Sequence, residues 1–170
     1  MTSLMKPGAR KLALTAHVLT SVGWLGAVAS FLALAVVGLT ARDDGLTRAA
    51  YLAMEPTTWF VIVPLSVASL VTGVIQGLGT QWGLFRHYWV LIKLVLTALA
   101  TIVLLVHTNP IGHLASAAAT SSLGADHDGM RVQLLVDAVA AMAVLVAATA
   151  LSVYKPQGVT AFASRLSRRS

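Results

Sequence analysis

The chain of 170 residues has no cysteine. That excludes disulfides, thiolate metal sites, thiolate-ligated haem and all-cysteine iron–sulfur clusters. Charge is scarce as well: Asp, Glu, Lys and Arg make up 11% of the residues, against about 25% in a soluble domain. A chain so composed has too little polar surface to cover a globule in water. Leu, Val and Ala fill it instead, with 57% of residues hydrophobic and a mean hydropathy of +0.81. Lipid is the solvent that suits this composition.

Four apolar runs organise the sequence, at about 12–39, 57–79, 88–107 and 132–154. Each reaches the ~20 residues that cross ~30 Å of hydrocarbon as a helix. Backbone groups find no water there, so the runs must be helical. They lack the period-2 alternation of a barrel strand. The expected fold is all-α: a four-helix transmembrane bundle forming one domain over 1–156, followed by a basic tail at 157–170. The start also resembles a signal peptide, with Ala27-Val28-Ala29 as a cleavage site, but the apolar run continues to Leu39, well past a signal core.

The net charge of +6 would suggest nucleic acid in a soluble protein. Here the cations sit in short segments beside apolar runs, which reads as orientation and lipid contact, with no role for nucleic acid. Lys6, Arg10, Lys11, Arg86, Lys155, Arg165, Arg168 and Arg169 fall on one side, and Arg42, Arg48 and Arg131 on the other. Positive charge stays inside. The expectation is therefore a multi-pass protein of the cell membrane with both termini cytoplasmic. The small, polar 113–129 stretch reads as a mobile external loop.

Ionisable side chains inside a span are functional candidates by default. His17, Lys93, His107 and Asp137 are of this kind, with Gln76 as a neutral companion. Helical spacing puts Thr20, Ser21, Trp24, Val28 and Phe31 on the face of His17. Trp89, Lys93, Thr97 and His107 fall on one stripe of the third run, where Trp89 and Lys93 suit a cation–π pair. Depth separates an inner cluster of His17, Gln76, Trp89 and Lys93 from an outer one of His107 and Asp137, joined there by Glu55, His113 or His127 from the loops. Pro64 predicts a kink in the second run. Ser69, Gly73 and Gly77 form a small-residue strip that lets another backbone approach. Each polar residue also has a structural reading: His17 bonded to a neighbouring helix, Lys93 reaching the headgroups, His107 completing a helix end, and Asp137 bonded to His107 or to hydroxyls.

His17 followed by Trp24 and Gly26, Pro64 followed by Gly73, and Trp89 followed by Lys93-Leu94 with His107 beyond occur in this order over residues 12–107. The set resembles the four-helix HemJ-type protoporphyrinogen oxidases and the CopD-type copper-resistance membrane domain. The overall likeness is to an actinobacterial family of four-helix membrane proteins without an established activity, in which Phe85–Lys93 and Leu104–Pro110 recur. The HemJ resemblance implies a bound b-type haem, with His17 and Lys93 important for activity. On that reading His17 is the metal ligand. Trp24, Gln76, Trp89, Lys93, His107 and Asp137 complete the cofactor-binding candidates, and no residue is assigned a catalytic role. The function expected is membrane redox or electron transfer, with the bilayer, a quinone or porphyrin-like small molecule, and an oligomer or membrane protein as partners. The alternative is a non-enzymatic transport or assembly component whose polar residues are structural.

The charge split yields a test that the lack of native cysteine makes clean. Asp43→Cys and His127→Cys should each react with an impermeant thiol reagent from outside intact cells. Labelling of both only after the cytoplasm is opened would overturn the topology.

Overall fold

The computed structural model describes residues 5–79, 87–120 and 123–154. The 80–86 segment with Trp82 and Arg86, and the basic tail expected at 157–170, lie outside them. The described chain forms helices α1 (Pro7–Thr40), α2 (Asp44–Thr57), α3 (Val63–Gly79), α4 (Tyr88–Val106), α5 (Thr108–Ala119) and α6 (Asp128–Tyr154). A π-helical turn, Thr58–Ile62, joins α2 to α3. A 3-10 turn, Ala125–His127, precedes α6. Taken with their continuations, four helical rods result: Pro7–Thr40, Asp44–Gly79, Tyr88–Ala119 and Asp128–Tyr154. All four are long and apolar enough to cross a membrane. The fold is the expected all-α four-helix bundle.

The rods are longer than the apolar runs, for local reasons. Pro7 stands at the start of α1, where its missing N–H has no helical partner to lose and its fixed φ suits the helix. Between the first two apolar runs only a short turn precedes α2, because the Asp43 side chain accepts from Leu46 N at 2.7 Å and caps that helix. Pro56 sits inside that helix. Its ring removes one donor from the ladder, while the Thr57 and Thr58 hydroxyls donate to the carbonyls of Ala53 and Met54 at 2.7 and 2.8 Å. The π turn then lies between Pro56 and Pro64, so the irregularity expected at Pro64 begins six residues earlier. The 113–129 stretch, expected as a mobile loop, is helical in α5 as far as Ala119.

Helix α1 packs on α3 and α6, and α4 packs on the same two, so α1 and α4 stand diagonally across the bundle. Helices α2 and α5 pack on each other, with α2 on α1 and α5 on α6, at one end of the bundle, termed the cap end. Ala50 of α2 and Ala115, Ala117 and Ala118 of α5 are buried, and such small side chains permit close approach. Arg48 fastens the pair: its Nε donates to Ala118 O at 2.7 Å and its Nη2 to Ala119 O at 3.4 Å. These are terminal carbonyls of α5, where a cation also meets the negative end of the helix dipole.

The two ends of the bundle differ in character. Towards the cap, Trp24, Val28, Phe31 and Ala35 recur every three to four residues on α1 and meet Tyr51, Met54, Leu114 and Leu134 in an apolar core. Before Trp24, α1 buries nothing fully. Large apolar side chains such as Leu12, Leu19, Phe60, Leu99 and Val136 are exposed around the rods. Water would penalise that surface, and hydrocarbon does not.

Gly38 tests the core. A Cβ there would lie 2.6 Å from Tyr51 Cζ, whereas one on Gly26 would meet nothing within 4 Å. Gly38→Ala should lower stability by about 1–3 kcal/mol through overpacking, and Gly26→Ala should leave it unchanged or raise it. Equal melting temperatures for the two variants would refute this packing.

Candidate functional site

The inner candidates fall into two separate helix interfaces. His17 Nδ1 lies 3.1 Å from Ser69 O and 3.1 Å from Thr72 Oγ1. The carbonyl can only accept, and the Thr72 hydroxyl donates to Ala68 O, so Nδ1 carries the proton and gives it to both. Its ring lies across Gly73, where a Cβ would stand 3.1 Å from Cε1. Ser21 and Ser69 share a hydrogen bond of 2.8 Å, and Gln76 Nε2 donates to Ala13 O at 2.9 Å. Together these bonds tie α1 to α3. The expected small-residue strip thus packs against α1, with Ser69 and Gly77 buried.

Lys93 serves the other interface. Its Nζ donates to Ser152 Oγ at 3.2 Å, and Ser152 in turn donates to Ala148 O. This bond ties α4 to α6. Trp89 is buried and makes a tilted ring contact with His87 at 6.5 Å. Sequence spacing placed His17, Gln76, Trp89 and Lys93 at one depth, but it did not reveal that His17 faces α3 while Lys93 faces α6. Ser69, Thr72 and Ser152 were missed as partners because serine and threonine are common in spans and their bonding is decided by the opposing helix.

The outer candidates do meet. His107 separates α4 from α5 and so sits at a break in the third rod. Its Nδ1 is 2.8 Å from Val103 O, which makes Nδ1 the donor. Its Nε2 lies 3.2 Å from Asp137 Oδ2 on α6. The distance is that of an ion pair, but the donor direction is poor: Oδ2 is buried without an aligned hydrogen-bond partner. The contact therefore counts as electrostatic proximity, and the oxygen keeps its acceptor capacity.

His107 and Asp137 face a half-enclosed cavity of about 270 Å³ between α1, α4 and α6. Trp24, Val28 and Phe31 wall it on α1, and Ala138 and Ala141 on α6. Leu99 and Val103 line it from α4 while remaining about half exposed (54% and 47%), so that wall is also part of the apolar outer surface. The lining is apolar apart from the His–Asp pair and the Trp24 indole. His17, Gln76, Trp89 and Lys93 are not among the lining residues.

Glu55 and His113, expected near the outer cluster, are not among the residues that line this cavity. Glu55 lies near Gly112. His113 and His127 line a separate open depression with Ser116, Thr120 and Met130. Among the described residues, no three His, Asp or Glu side chains come together as a metal-binding group. Comparisons with family models, curated proteins and solved structures find no match for this chain.

The hydroxyl bond between α1 and α3 is open to a double-mutant cycle. Ser21→Ala and Ser69→Ala should couple by about 0.6 kcal/mol, up to about 1.7, as interhelical bonds in membranes do. Strict additivity of the two losses in reversible unfolding would show that the bond contributes nothing.

Proposed function

We propose that the chain is a membrane protein that admits a lipid-soluble small molecule of the quinone class into the cavity between α1, α4 and α6, in the service of membrane redox chemistry. The observation that carries this reading is the cavity itself: apolar walls, an outer side shared with the lipid-facing surface, and one ionisable pair at His107 and Asp137. Apolar pockets with a few convergent polar groups are the usual form of small-molecule sites, and their volumes begin near ~300 Å³. Entry from lipid requires no aqueous path. Trp24 and Phe31 supply aromatic surface for a flat ring. The charge split across the loops supports both termini lying in the cytoplasm.

A b-type haem at His17 is the second reading, and one observation favours it. An imidazole whose Nδ1 donates to a carbonyl has its Nε2 oriented for a metal. The remaining geometry does not fit. The His17 ring is wedged against Gly73, Lys93 is directed to Ser152, and the cavity is lined by neither. The inner polar residues are accounted for as linkage between helices, and no step is derived through haem.

Binding of a decyl-substituted benzoquinone to the protein in lipid nanodiscs tests the proposal. Wild type should retain quinone above protein-free discs, and Ala141→Phe, which fills the cavity, should weaken retention by at least about tenfold. Retention no greater than in empty discs would overturn it. A Soret band in purified protein that vanishes in His17→Ala would establish the haem reading instead.

A further inference from the structure

The chemistry of the His107–Asp137 pair narrows the ligand, on the footing that the cavity binds one. His107 Nδ1–H is committed to Val103 O. Its Nε2 lies 3.2 Å from Asp137 Oδ2 without the alignment of a hydrogen bond, so the imidazole does not occupy the carboxyl group, and Asp137 accepts no hydrogen bond among the described residues.

A second observation points the same way. Oδ2 itself is buried, but the Asp137 side chain is 30% exposed and belongs to a wall otherwise made of carbon apart from the Trp24 indole and the His107 ring. A carboxyl group left without a donor in an apolar setting carries a desolvation penalty, which a donor supplied by a ligand at its accessible side would relieve. The Trp24 N–H lies on α1, opposite the helix that carries Asp137, and no hydrogen bond joins the two among the described residues.

We infer that the cavity selects a hydrogen-bond donor: an apolar molecule bearing a phenolic hydroxyl, which among quinone-class ligands is the reduced quinol and not the quinone. The hydroxyl donates to the Asp137 carboxyl group, and the ring packs between Trp24 and Phe31. A quinone presents only carbonyl oxygens, so it binds by its apolar surface alone.

A redox-silent pair of probes separates the hydroxyl from the rest of the ligand: 4-decylphenol and its methyl ether, 4-decylanisole. Both are titrated into the full-length protein in lipid nanodiscs, with empty discs as the reference. Wild type should bind the phenol about ten- to a hundredfold more tightly than the ether, the range for a hydrogen bond to a charged group. Asp137→Leu should bind both about equally, and its folding is checked by circular dichroism and gel filtration. Because the preference is read first in wild type, an unfolded variant does not remove the test. Equal binding of phenol and ether by wild type overturns the donor selection and leaves the cavity reading standing. Binding of neither overturns both. A preference that persists in a folded Asp137→Leu protein overturns the assignment to Asp137.

Discussion

The contact of α1 with α3 across Gly73 governs the rest of the bundle. Lipid offers no water to a buried imidazole, amide or hydroxyl, so each must find its partner on a neighbouring helix. The glycine brings the two backbones close enough for His17 to donate to Ser69 and Thr72, for Ser21 to meet Ser69, and for Gln76 to reach Ala13. Apolar side chains gain little by leaving hydrocarbon for each other, so packing and interhelical bonds must hold such a bundle together. Since α6 and α2 also pack on α1, fixing α1 against α3 sets the frame on which the other elements assemble.

This frame divides the protein along its length. Polar bonds hold the end nearer the chain termini, where α1 meets α3 and Lys93 of α4 meets Ser152 of α6. Towards the cap end, aromatic and aliphatic side chains replace them, and α2 and α5 contribute Tyr51, Met54, Ile111 and Leu114 to that core. The cavity lies in the apolar half, where a ligand displaces no helix-linking bond. Its single ionisable pair stands at the break between α4 and α5, where the rod leaves regular α-helical geometry and the His107 ring can bond back to Val103.

The four spans were legible in the sequence because the solvent imposes them: ~20 apolar residues admit no other structure in hydrocarbon. The cap was not. Residues 44–57 and 108–119 form shorter and more polar segments, each containing a proline, Pro56 and Pro110. Their helices form because Asp43 caps one, Arg48 closes the other, and alanine faces let the two meet. Composition carries no trace of such a tertiary pairing.

The candidate site was legible in part. That His107 and Asp137 share a level followed from counting residues along two antiparallel helices, and so did the placing of His17 and Gln76 in one stretch of the α1–α3 interface. Depth is a one-dimensional quantity that sequence contains. Azimuth across the bundle is not, because it depends on how each helix is rotated against its neighbours. The sequence by itself therefore determined four apolar helices, their polar residues and the level of each. Only the tertiary structure decided that His17 faces α3, that Lys93 faces α6, and that His107 and Asp137 face a cavity, because the packing of side chains between helices sets those rotations.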